Sequence, residues 1–179
     1  MGFLDRLLGR SAPPAPDLDR LFAVPEAAIT LETALGLRPT GVGSVCYRAA
    51  EGGAFAAVQG DVTALLGAGA GPPVEQQVDA YGYTWLVVRR DAADVSGLVT
   101  DLHAVNSTLQ DAGFGPALLC SLVGFGDDAA RRLGLVYLYK RGTFYPFAPA
   151  GEQRRDNALA SAEGRPVSSA AERSADSSR

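Results

Sequence analysis

The chain has 179 residues, 47% of them hydrophobic, 20% charged and 8% aromatic, with a formal net charge of −4. That length suits one domain with a sizeable core and an appendage. An acidic chain with no basic stripe argues against a nucleic-acid binder, which needs clustered Lys and Arg against phosphate.

The averages conceal a division near residue 150. Beyond it only Leu159 and Val167 are apolar side chains larger than Ala, and five acids balance five Arg. Residues 1–150 are therefore about 51% hydrophobic, ordinary for a packed globule, and they carry the whole net charge. The expected organisation is a short amphipathic helix at 1–10, a Pro-rich spacer at 11–16, a domain at 17–150 and a disordered tail at 151–179.

In chain order, MGFLDRLLGR places Phe3, Leu4, Leu7 and Leu8 on one helical face and Asp5, Arg6 and Arg10 on the other. Two turns do not hold a helix alone in water. Burying the four apolar side chains would gain at most about 6–12 kcal/mol before ordering costs. The segment therefore meets a partner or an anionic membrane surface weakly, packs on its own domain, or frays. SAPPAP at 11–16 is a stiff spacer.

Asp17 reads as the N-cap of a short helix, Leu18–Ala23, closed by Pro25. Ala28–Leu35 and Val42–Tyr47 read as strands, with a helix as the alternative for the first. Residues 54–66 have helical spacing of Phe55, Val58, Val62 and Leu65. Tyr81–Arg89 is the clearest strand, apolar on both faces as a central strand is. Ala92–Gln110 is the clearest helix, with Val95, Leu98, Val99, Leu102, Val105 and Leu109 along its stripe and Gly113 as its stop. Ala117–Phe125 and Leu133–Arg141 form an antiparallel hairpin through the polar turn at 126–132. The order α-β-β-α-β-α-β-β predicts one α+β domain with an antiparallel or mixed sheet of about five strands.

Chemistry-bearing patterns are sparse. His103 is the sole histidine, so it and the two cysteines, Cys46 and Cys120, cannot make a zinc site of the usual nitrogen and sulfur ligands. His103 with Asp101 nearby is the one candidate base for a small-ligand enzyme, and a locally hydrogen-bonded helix-edge histidine is the commoner arrangement. The glycines at 41–43 and 67–71 fit neither a nucleophile elbow nor a phosphate cradle. The cysteines are expected to be buried and reduced, with a structural disulfide as the alternative. No stretch is a signal peptide, and the longest run without charge, residues 112–126, is too short to span a bilayer. A cytoplasmic protein follows. YKRGTFYPFAP at 139–149 sets Tyr139, Phe144, Tyr145 and Phe147 beside Lys140 and Arg141, a composition found at interaction surfaces and also where a chain closes its core.

The blocks MGFLDRLLGR, AYGYTWLVVRRD (80–91), LVTDLHAVNSTLQDAGFGPALLCSLVGF (98–125) and LVYLYKRGTFYPFAP (135–149) resemble the PspA-associated protein PspAB family of actinobacteria over most of residues 1–157. The resemblance implies a non-catalytic accessory of the phage-shock envelope-stress response. Its partner would be PspA, a coiled-coil protein that coats stressed inner membrane, and there would be no cofactor, metal or catalytic residues. Phe3, Leu4, Leu7, Leu8, Arg141, Phe144, Tyr145 and Phe147 are the expected partner or membrane contacts. After Asn157 the sequence departs from the family's continuation, and a truncated or frame-shifted end is expected there.

Overall fold

A computed structural model of the chain describes residues 17–67 and 73–149. The amphipathic segment with Phe3, Leu4, Leu7 and Leu8, the Pro-rich spacer and the tail lie outside the described residues.

A 3-10 turn at Leu18–Ala23 runs directly into α1 (Val24–Leu35). Strand β1 (Arg38–Tyr47), helix α2 (Gly53–Gly67), β2 (Glu75–Val78) and β3 (Thr84–Arg89) follow. Helix α3 (Val95–Leu109) continues through a π turn at Gln110–Phe114 and a 3-10 turn at Gly115–Ala117 into β4 (Leu118–Gly126). The body closes with β5 (Arg132–Leu138) and β6 (Thr143–Phe147).

The six strands form one open sheet in the order β2-β3-β1-β4-β5-β6, antiparallel throughout. The α+β class and the β4–β5 hairpin are as expected. The sheet has six strands where about five were expected: the expected strand at 28–35 is a helix, and Thr143–Phe147 and the edge strand Glu75–Val78 are added. All four residues of Glu75–Val78 are exposed, so no alternation of burial marks it.

The segment 28–35 is helical, not a strand. Val24, Ala27, Ala28 and Leu31 are buried at intervals of three, four and seven, the period of a helix face. Gly36 ends that helix in the left-handed conformation at φ 68°, its N–H donating to the Glu32 carbonyl at 2.9 Å. Pro25 opens this helix and does not close the preceding turn, since a first-turn residue needs no N–H partner. Asp17 makes no side-chain capping bond to the 3-10 turn; its carboxylate pairs with Arg20 at 3.6 Å.

The core lies between the helices and one face of the sheet. Leu98, Val99, Leu102, Val105 and Leu109 of α3 are fully buried, each contributing about 1.5–3 kcal/mol by area. They meet Val45 and Tyr47 of β1, Leu86 and Val88 of β3, and Val123 and Phe125 of β4. Asp94 caps α3, its Oδ1 accepting from the Gly97 N–H at 2.9 Å. Where β1 passes under α3, Gly43 leaves room for Leu98 and Leu102.

Candidate interaction surface

Register determines what the other face of the sheet presents. Directly opposed residues share a face. The rows Trp85–Cys46–Cys120–Leu138 and Val87–Ser44–Leu122–Val136–Tyr145 therefore run across the strands on the side away from Val45, Leu86 and Val123. Gly124, Gly134 and Phe147 make a third row. Among the described residues, the helices pack on the core side, and no helix or strand lies over these rows.

This face is apolar at its centre and polar at one margin. Val87, Leu122, Leu138, Tyr145 and Phe147 are half-buried. At the β2 margin Arg89 pairs with Glu75 at 3.1 Å. Towards β6 the glycines leave a shallow depression of about 380 Å³ lined by Val42, Leu122, Gly134, Phe147 and Pro149. An apolar centre with a charged margin is the composition of a protein contact surface.

The expected contact residues divide between the two faces. Tyr145 and Phe147 lie on the open face. Phe144 is buried against Tyr137, ring centroids 5.0 Å apart, and belongs to the core. Arg141 is exposed in the turn between β5 and β6, beside Gly142 at φ 64°. Sequence reasoning passed over Trp85, Val87, Leu122 and Leu138. Strands apolar on both faces suggested cover on both sides, and only the parity of each strand separates the open rows from the core.

His103 does not pair with Asp101. Its Nε2 lies 3.0 Å from Asp19 Oδ1 and its Nδ1 3.3 Å from Ser107 Oγ, while the Phe22 ring packs at 4.8 Å. Asp101 is taken by Arg90, whose Nε and Nη2 donate to its two oxygens at 2.6 and 3.0 Å. The imidazole thus ties the first helical turn to α3. Under α3, Asn106 Nδ2 donates to Ser121 Oγ at 3.1 Å, and Ser121 in turn meets the Tyr139 hydroxyl. Burial raises the Tyr139 hydroxyl above its ordinary range. Among the described residues there is no cluster of three or more His, Cys, Asp or Glu arranged for a metal, and no helix long and apolar enough to cross a membrane.

Comparison with protein families gives one decisive match: the model described as PspA associated protein B, PspAB, aligns with residues 1–162. The chain belongs to the PspAB family. Comparisons with curated proteins and with solved structures returned no match. The PspAB match takes in the segment before Asp17, the whole sheet and all three helices, so the open face is part of the family's domain. The family's description names association with PspA, a component of the phage-shock response.

Proposed function

We propose that this protein is a non-catalytic adaptor of the phage-shock envelope-stress response that binds PspA through the open face of its sheet. The observation that carries the reading is the apolar rows on that face, centred on Leu122, with no described element above them. Family membership supports PspA as the partner, since the family is described as PspA-associated. A coiled-coil partner offers an apolar helical stripe, which fits a flat apolar sheet as α3 fits the opposite face. Phe3, Leu4, Leu7 and Leu8 would add contacts to PspA or to the inner-membrane surface beside it, keeping the protein peripheral in the cytoplasm.

The non-catalytic part of the reading rests on how the polar groups are spent. Asp101 is held by Arg90, and the carboxylate that reaches His103 is the exposed Asp19.

The test is co-purification of the full chain with PspA, alongside variants Leu122→Asn and Tyr145→Ala with Phe147→Ala. Unfolding transitions of the free proteins verify that each variant folds. Association should weaken at least tenfold in the open-face variants. It should persist in Ile29→Asp, which alters a separate apolar groove between α1 and the start of α3. Wild-type binding by folded open-face variants, or loss in Ile29→Asp alone, overturns the assignment. Liposome flotation of the full chain against one beginning at Asp17 reports the lipid contribution; equal flotation removes the N-terminal segment from that role.

A further inference from the structure

The two cysteines of the chain, 74 residues apart in sequence, are direct partners across the centre of the sheet: Cys46 on β1 faces Cys120 on β4. Both are free thiols, Cys46 3% exposed and Cys120 partly open to solvent. Their side chains stand on the open face, in one row with Trp85 on β3 and Leu138 on β5.

Opposed residues of an antiparallel pair hold their Cβ atoms about 4.5–5.5 Å apart. A disulfide needs about 3.5–4.5 Å, so closure asks for a shift of about an ångström. The ladder can give there, because the β1–β4 register breaks between Cys46 and Tyr47.

We propose that Cys46 and Cys120 are a peroxide-oxidisable dithiol, a modification site that closes into an intramolecular cross-strand disulfide. Cys120, the more exposed of the two residues, is the nucleophile. Its thiolate attacks one oxygen of hydrogen peroxide; the S–O bond forms, the O–O bond breaks, and the departing hydroxide takes a proton to become water. Cys46 then loses its thiol proton and attacks the Cys120 sulfur. The S–S bond forms, the S–O bond breaks, and a second water leaves. Two thiols are oxidised by two electrons, and one peroxide is reduced to two waters.

The exposure of Cys120 beside the buried Cys46 supports the order of events. The adjacent Cys46 holds the Cys120 thiol below its ordinary range, against the opposing effect of burial. The neighbouring Cys120, with burial, pushes the Cys46 thiol up. Cys46 is the only other thiol in the chain that can meet the Cys120 sulfenic acid.

The experiment exposes the full chain to hydrogen peroxide and follows alkylatable thiols, intact mass and Trp85 fluorescence. Trp85 is the only tryptophan and lies directly opposite Cys46. The expected result is a fall from two alkylatable thiols to none in a monomer lighter by two hydrogens. Trp85 emission should be quenched at the same rate, and dithiothreitol should restore both. In Cys46→Ser, a sulfenic-acid probe should label Cys120. In Cys120→Ser, Cys46 should react at least tenfold more slowly. Persistence of both thiols, disulfide-linked dimers, or direct passage of Cys120 to sulfinic acid in the unaltered chain overturns the proposal. Equal reactivity in the two Ser variants overturns the assignment of the nucleophile.

Discussion

The indole N–H of Trp85 donates to Oδ2 of Asp79 at 3.1 Å, while Oδ1 of the same carboxylate accepts the backbone N–H groups of Tyr81 and Tyr83. One side chain thereby closes the β2–β3 turn and fixes the ring of an open-face residue. Indole donation, then the backbone donors, hold the Asp79 carboxyl below the usual carboxylate range. Asp94 at the α3 cap and Asp127 beside Arg131 are lowered in the same direction. A carboxyl more acidic in the folded chain stabilises fully above its unfolded value of about 4, and that contribution is lost as pH falls through the lower folded value. The melting temperature should therefore fall on acidification below about pH 4. Asp79→Asn should flatten part of that acid limb and shift Trp85 emission at neutral pH. Parallel acid limbs in the variant and the parent would count against this role.

A second prediction concerns the closest approach of helix to sheet. A Cβ at Gly43 would lie 2.9 Å from Leu102 Cδ1, 3.2 Å from Leu98 Cδ1 and 3.3 Å from the Leu122 carbonyl oxygen. Gly43→Ala should cost about 1–3 kcal/mol by overpacking. Leu102→Ala, at a fully buried position, should cost about 2–5 kcal/mol through the cavity it leaves. In the double variant the new methyl occupies part of that cavity, so the combined loss in urea denaturation should fall short of the two added together. Simple additivity would place the two residues out of contact.

The helices and central strands were legible because their patterns are one-sided or long. The α3 stripe and the 118–126 and 132–138 strands stand within a few residues of their expected limits. The segment 28–35 misled because Ala, Ile, Thr and Leu satisfy both a strand composition and a helix period, and tertiary packing of Ala27, Ala28 and Leu31 decided it. The candidate surface was half legible. Aromatic composition pointed to residues 144–147, but whether a residue faces the core or the open side depends on register across the sheet, which puts Phe144 inside and Tyr145 outside. The cysteine pairing was open from the sequence, reduced thiols or one disulfide, since adjacency needs two strands distant in sequence to become neighbours.

Two left-handed glycines should respond differently to the same substitution. Gly41 has φ 72°, and a Cβ there would sit 2.2 Å from the Arg90 carbonyl oxygen and 3.1 Å from the Ala92 nitrogen. Both obstacles are backbone, held by the Arg90 N–H bond to the Gly41 carbonyl at 2.8 Å. Gly82 has φ 79° with open space around it. Gly82→Ala should cost only the left-handed strain of about 1–2 kcal/mol. Gly41→Ala should lose distinctly more, or prevent accumulation of folded protein. Equal denaturation midpoints for the two variants would contradict the close approach.

The last prediction separates geometry from charge at Arg90. Its guanidinium grips Asp101 with Nε and Nη2 and reaches Asp94 through Nη1 at 2.9 Å, joining the end of β3 to the first turns of α3. Asp94 meanwhile uses Oδ1 to cap the helix, so the arginine also steadies the cap. Arg90 is 37% exposed, and solvent screening limits the whole arrangement to about 1 kcal/mol. Lysine retains the charge but loses the planar fork. Arg90→Lys should therefore cost about half as much as Arg90→Ala, and raising the salt concentration should narrow the gap between lysine and alanine without restoring the parent's stability. If lysine matches arginine at low salt, charge alone accounts for the site and the fork contributes nothing.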